Sequence, residues 1–147
     1  MYDVTIIGCG VIGASLAYTL SQYRLRVLVL ERENDVAMGT TKANSAVVHA
    51  GYDPANGTLM ATLNVRGSAI MEQLCQSLSV KYKRIGSFVV AFNEEERAQL
   101  ERLYENGKRN GVPDLQLLDG AAAHEMEPNL SENVCAALYA PSAAIID

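Results

Sequence analysis

Between Val4 and Tyr23 the chain carries no charged side chain across 20 positions, and three glycines fall within six of them, Gly8-Cys9-Gly10-Val11-Ile12-Gly13. A membrane span needs about 20 predominantly apolar residues. Here the run is broken by the glycines and by Thr5, Ser15, Thr19, Ser21 and Gln22. A secretion signal needs a positively charged start, and this chain begins Met1-Tyr2-Asp3. What remains is a β-branched strand over Val4–Ile7, a tight turn, and a helix on which Leu16, Ala17 and Leu20 share a face with Gly13.

The glycine spacing is G-x-G-x-x-G, and each glycine has a task in a dinucleotide-binding turn. Gly8 lets the chain leave the strand sharply, Gly10 lets the backbone approach a pyrophosphate, and Gly13 lets the helix pack closely on the sheet. The helix start offers unpaired N–H groups and roughly half a positive charge to phosphate. Glycines alone also serve ordinary turns, so the context decides. A second strand, Arg26–Leu30, ends in Glu31, which stands 18 residues after Gly13 and 23 after Gly8. An acid at that point can accept hydrogen bonds from a ribose 2′-hydroxyl. It also repels a 2′-phosphate, which makes NADP the least favoured dinucleotide.

The 147 residues suffice for one ordinary domain, and 49% hydrophobic with 20% charged residues reads as a soluble globular protein. The net charge of −5, with no basic block, argues against nucleic acid as a partner. Cys9, Cys75 and Cys135 are widely separated, which points to no metal site, no disulfide framework and a reducing cytoplasm.

Further along, apolar residues recur at helical spacing from Thr58 to Leu78 and predict an amphipathic helix. Lys83–Phe92 reads as one strand with Gly86 inside it. Asn93 followed by Glu96 resembles a capping box, and the helix it opens runs to a stop at Asn110-Gly111. Residues 114–119 form a short strand candidate, Asp119 can cap a short helix through Met126, and Pro128 ends it. Residues 133–140 and the last three positions give two more strand candidates. The composition changes near residue 80, from glycine-rich βαβ to strands with charged helices. This suggests a nucleotide-binding portion over 1–80 and a second domain beginning at 81–147. Tyr104 and Lys108 have the Y-x-x-x-K spacing of short-chain dehydrogenases, but late in a charged helix they read as a solvated face. His124 reads as a surface histidine.

The most informative stretch is Gly39–Asp53, GTTKANSAVVHAGYD. Gly39, Thr40 and Thr41 can present N–H and O–H donors to phosphate, Lys42 adds a positive charge, and Asn44 and Ser45 offer further polar contacts. His49 stands between Val48 and Ala50-Gly51, where a planar ring could approach the backbone. Composition alone leaves a polar loop with a core histidine as the ordinary alternative.

Taken with DVTIIGCGVIGASLAYTLSQYRLRVLVLER and LYAPSAAIID, that stretch resembles the FAD-dependent D-amino-acid-oxidase-like superfamily. Within it the resemblance is greatest to anaerobic-type glycerol-3-phosphate dehydrogenases, then to L-2-hydroxyglutarate oxidases. The resemblance implies an α/β chain, with a Rossmann-like FAD/NAD(P)-binding βαβ unit followed by the start of an α+β substrate domain. It implies FAD as cofactor, held by Gly8, Gly10, Gly13 and Glu31, with Arg32 near the adenosine half. Thr40, Thr41, Lys42, Asn44 and Ser45 fall where the family lines the pyrophosphate, ribityl chain and flavin edge. His49 falls beside the isoalloxazine ring as the catalytic residue. The family oxidises a C–H bond next to a hydroxyl or amine by hydride transfer to flavin, and a histidine there can accept the hydroxyl proton. The expected partner is a small-molecule substrate, glycerol phosphate or a hydroxy acid.

Two departures stand out. The family commonly has glycine where Ala46 and Ala144 stand, and an alanine at a positive φ is strained. Family members also run to several hundred residues. The chain is therefore expected to be a truncated N-terminal portion that is inactive alone, holds FAD weakly and self-associates through an exposed sheet edge. A non-catalytic nucleotide-binding module is the alternative of a different class. The resemblance leaves room for a peripheral membrane association of the full-length enzyme.

Overall fold

The computed structural model describes residues 1–147, which divide into two compact units, Met1–Ser45 and Ala46–Asp147.

The first unit is the expected βαβ element. Strand β1 (Val4–Ile7) pairs in parallel with β2 (Val27–Leu30), from Val4 opposite Val27 to Ile7 opposite Leu30. Helix α1 (Val11–Leu20) packs against both strands. Asp3 and Arg26 staple the base of the pair. The Arg26 backbone N–H donates to Asp3 Oδ2 at 2.8 Å, and its guanidinium reaches both carboxylate oxygens at 3.1 Å. This contact pulls the Asp3 carboxyl below its usual range.

The second unit holds two antiparallel sheets of three strands, ordered β3-β8-β4 and β5-β7-β6. Their ranges are β3 Val47–Val48, β4 Tyr82–Arg84, β5 Ser87–Ala91, β6 Gln116–Asp119, β7 Ala136–Ala140 and β8 Ala144–Ile146. The helices are α2 (Leu59–Leu78), α3 (Glu94–Asn110) and α4 (Gly120–Met126). The core lies between α3 and the β5-β7-β6 sheet. Ala91, Leu100, Val112, Leu115, Ala136, Leu138 and Ala140 are buried there, with Leu138 fully enclosed.

The caps form as their sequences dictate. Asn93 Oδ1 accepts from the Glu96 N–H at 2.9 Å, and Asp119 Oδ1 accepts from the Ala122 N–H at 2.8 Å. The returning Glu96 carboxylate takes the Phe92 N–H, one residue before the cap. Gly111 closes α3 at φ +84°. His124 is more than a surface side chain. It is half-buried, with Nδ1 at 2.6 Å from the Gly120 carbonyl and Nε2 at 3.0 Å from that of Ser131. Tyr104 is also not fully solvated: it packs against the core, and the Lys108 ammonium lies 5.0 Å from its ring centre.

Three features differ from the sequence reading. The strand expected over 83–92 is two strands in two different sheets. Gly86 (φ +72°) breaks it, because the Tyr139 ring lies where any β-carbon would go, 2.5 Å away. Helix α2 turns a stripe of small residues inward, Ala61, Ser68 and Cys75, while Leu59, Leu63, Ile70 and Leu78 stay exposed. Finally, the compact units part at Ser45/Ala46 rather than near residue 80. β3 and β4 flank β8 in one sheet, which binds residues 47–48 to residues beyond 80.

Ala46 has φ +56°, the left-handed conformation that favours glycine, whereas Ala144 lies in β8 and has no such angle. No helix is long and apolar enough to cross a membrane.

Candidate functional site

The glycine turn joins the end of β1 to the start of α1. Gly8 adopts φ +96°, and its N–H donates to the Leu30 carbonyl at 2.7 Å, so the chain turns without leaving the sheet. A β-carbon on Gly13 would fall on the Gly8 carbonyl oxygen, so only glycine lets the helix start this close to the strand end. A β-carbon on Gly10 would stand 3.0 Å from Thr41 Oγ1. That hydroxyl accepts from the Val11 N–H at 2.9 Å, which brings the 39–45 segment to the helix start.

Helix α1 begins with no acidic residue in its first turn and no side chain capping it from Gly10. The N–H groups of Ile12 and Gly13 have no protein acceptor. Together with the helix dipole they leave a positive, donor-rich end suited to an anion.

Glu31 closes the other side of the turn. Its Oε2 accepts from the Cys9 N–H at 2.6 Å, and its Oε1 accepts from Arg32 N at 2.7 Å and Glu33 N at 3.0 Å. The Cys9 bond foremost, then those from Glu33 and Arg32, hold the carboxyl below its usual range. A carboxylate fixed in this way is a ready acceptor for vicinal hydroxyls. The loop that follows returns to the turn, with Ala37 N–H donating to the Cys9 carbonyl at 3.0 Å.

Residues 39–44 coil into consecutive turns. Lys42 N donates to the Gly39 carbonyl at 3.1 Å and Ala43 N to that of Thr40 at 3.2 Å. Asn44 Nδ2 donates to the Thr40 and Thr41 carbonyls at 3.3 and 2.5 Å. Asn44 thus shapes the segment, while Lys42 remains exposed. Ser45 is exposed at the end of the unit. Arg32 is also exposed and pairs with Glu33 at 3.0 Å. The first unit therefore brings together Gly8, Gly10, Gly13, Glu31, Thr41 and, through the same coil, Thr40, Lys42 and Asn44. It does not turn Arg32 inward.

His49 belongs to the second unit. It directly follows β3, exposed itself and flanked by buried Val48 and Ala50. Sequence reasoning missed what holds this segment: Asn106 and Asn110 on α3 bond the backbone of residues 51–54. Two asparagines four apart in a highly charged helix were the available signal. It also missed the Asp3–Arg26 staple, whose partners lie 23 residues apart.

With this geometry in hand, the likenesses to known proteins are specific. Residues 3–147 match the family described as FAD dependent oxidoreductase. The chain is 51% identical over 146 residues to the glycerol 3-phosphate dehydrogenase of Caloramator mitchellensis, covering 99% of this chain and 30% of that protein. It is 35% identical over 150 residues to the mitochondrial L-2-hydroxyglutarate dehydrogenase of Dictyostelium discoideum, covering 100% of this chain and 33% of that one. Among solved structures, the L-α-glycerophosphate oxidase of Mycoplasma pneumoniae with FAD bound superposes with a TM-score of 0.92 at 36% identity, covering 99% of this chain and 39% of the oxidase. The chain thus spans about a third of the length of these relatives. The match extends across both units, and the chain belongs to the FAD dependent oxidoreductase family.

Proposed function

We propose that this chain is the N-terminal FAD-binding part of an oxidoreductase that oxidises sn-glycerol 3-phosphate. The observation that carries the choice of substrate is the 51% identity to a glycerol 3-phosphate dehydrogenase, against 35% to an L-2-hydroxyglutarate dehydrogenase over the same span. L-2-hydroxyglutarate is the second reading, supported by the recurrence of those dehydrogenases among the relatives. Both substrates present a secondary hydroxyl on a carbon bearing hydrogen, so one arrangement of residues serves either.

The residues present fit FAD. The pyrophosphate is taken by the free N–H groups of Ile12 and Gly13 at the start of α1, with Gly10 leaving the approach clear and Lys42 adding charge. Glu31 accepts the ribose hydroxyls, and Arg32 serves the adenosine half. Thr40, Thr41, Asn44 and Ser45 line the stretch toward the flavin. Bound FAD supplies the hydride acceptor. His49 holds the substrate hydroxyl in place and accepts its proton on a ring nitrogen as the carbon is oxidised, the task of a general base. A functional division with FAD-binding residues in 1–80 and the first part of the substrate domain in 81–147 belongs to the same proposal, as does a cytoplasmic setting for the three free cysteines.

The test uses the full-length protein. Turnover with glycerol 3-phosphate should exceed that with L-2-hydroxyglutarate. His49→Asn should lower turnover by roughly 10²–10⁴-fold while flavin absorbance is retained, as loss of a general base does. A flavin-replete protein with neither activity would instead support a non-catalytic nucleotide-binding role.

A further inference from the structure

We propose that Asn106 and Asn110 of α3 are positioning residues for His49, fixing the backbone on its C-terminal side so that the ring is presented in one place. The inference rests on the catalytic reading of His49 given above.

His49 sits between two anchors. On its N-terminal side, β3 is paired with β8, Val48 opposite Ala144. On its C-terminal side, the chain passes through buried Ala50 and turns at Gly51, with φ +104°. A β-carbon on Gly51 would lie 2.8 Å from Val65 Cγ2, so the turn is pressed onto α2. From there to the cap of α2 the chain is irregular, and its carbonyls need donors from elsewhere.

Helix α3 supplies them. Asn106 Nδ2 donates to the carbonyls of Tyr52 at 2.7 Å and Pro54 at 2.8 Å. Asn110 Nδ2 donates to those of Gly51 at 3.0 Å and Pro54 at 2.8 Å. The oxygens are used as well: Asn56 N donates to Asn106 Oδ1 at 3.3 Å, and Asn56 Nδ2 donates to Asn110 Oδ1 at 2.9 Å. Each amide therefore has its nitrogen against carbonyls and its oxygen against N–H groups, which fixes its orientation. The i, i+4 spacing sets both on one helix face. Gly107 between them is buried, and a β-carbon there would come within 2.8 Å of Tyr52 Cβ. The helix can approach the segment this closely only because that residue is glycine.

An ordinary loop anchor would explain the bonds. What distinguishes this clamp is where it acts. It begins two residues after His49, and the residues on either side of His49 are 6% and 1% exposed, while His49 itself is open to solvent. The backbone is fixed and the ring is left free to meet a ligand. A displacement of about 1 Å at a reacting group can cost about 10²-fold in rate, so freeing one anchor should be visible in turnover.

The test is a cycle of variants in the full-length, FAD-loaded protein. Asn106→Ala/Asn110→Ala should lower kcat roughly tenfold or more when His49 is present and by less than about twofold in a His49→Asn background, because coupled residues lose effect together. Flavin content should not change, and amide exchange over 49–56 should quicken. Asn110→Asp, which keeps size and acceptor but loses the donors, should reproduce part of the loss and serves if the double variant folds poorly. Equal losses in both backgrounds, or no loss with His49 present, would overturn the proposal while leaving the catalytic reading intact. If His49→Asn alone leaves turnover unchanged, the catalytic reading fails first and the positioning role with it.

Discussion

The two units are built by different means. In Met1–Ser45 a single hydrophobic residue, Ile6, is buried, and Ile7, Ile12, Leu16 and Leu30 lie largely open. In Ala46–Asp147 a continuous core runs from Ala50 through Leu100 and Leu115 to Leu138 and Ala143. The first unit is shaped by backbone chemistry: a left-handed glycine, a glycine that admits a helix, and a carboxylate that gathers three N–H groups. The second is shaped by packing. A site made of backbone groups needs the chain in one conformation but little buried area. We therefore expect damage in the first unit to show as lost ligand and damage in the second as lost stability.

The largest effects should come from breaking each unit by its own means in the full-length protein. Gly13→Val places a side chain on the Gly8 carbonyl and forces the start of α1 away from the turn. FAD affinity should fall at least about tenfold, which corresponds to about 1.4 kcal/mol of lost binding. Leu138→Ala empties the centre of the second core and should cost about 2–5 kcal/mol in denaturant unfolding, with flavin still bound by what remains folded. An FAD Kd unchanged by Gly13→Val would show that the turn is not where the cofactor lies.

A subtler test uses pH. The Glu31 carboxyl is held below the value of 4.5 expected for a free glutamate, mainly by the Cys9 N–H. For an acid with a depressed folded pKa, the stabilisation is present above the unfolded value and is lost as pH falls through the folded one. The amide signals of Cys9, Arg32 and Glu33 should hold steady from neutrality down to about pH 4.5 and move only at lower pH, and Glu31→Gln should remove the transition. A midpoint at or above 4.5 would mean that the carboxylate does not hold the turn in solution.

Much of the first unit was legible in the sequence because its determinants are close together. β1, the turn, α1 and β2 fall where β-branched runs and glycine spacing put them, and Glu31 stands at the end of β2, where its bond to the Cys9 N–H was not foreseen. The caps at Asn93 and Asp119 were legible for the same reason, since each bonds an N–H three residues on. The rest depended on partners far along the chain. Gly86 breaks a strand because of Tyr139, β3 exists because β8 pairs with it, and the His49 segment is anchored by amides more than 50 residues away. The inward face of α2 was hidden for another reason. Its leucine periodicity marks an apolar stripe but does not say whether this part of the chain covers it.

The smallest expected effect tests the junction between the units, where one substitution at two sites should act in opposite directions. Ala46 holds φ +56° at the first residue of the second unit, and its carbonyl accepts from the Ile146 N–H at 3.0 Å, so the angle is fixed by the sheet. Placing an L-residue in this region costs roughly 1–2 kcal/mol, and glycine removes that cost. The greater freedom of glycine in the unfolded chain returns about 0.4–1 kcal/mol of it. Ala46→Gly should therefore raise stability slightly, by about 0–1.5 kcal/mol. Ala144 is buried within β8 opposite both Val48 and Arg84, at an ordinary strand angle. There glycine relieves nothing, loses a packed methyl and costs about 0.5–1 kcal/mol in backbone entropy. Paired unfolding curves of the two variants decide the matter. If Ala46→Gly destabilises as much as Ala144→Gly, the left-handed angle at the junction is not a strained one, and glycine there would offer the chain no advantage.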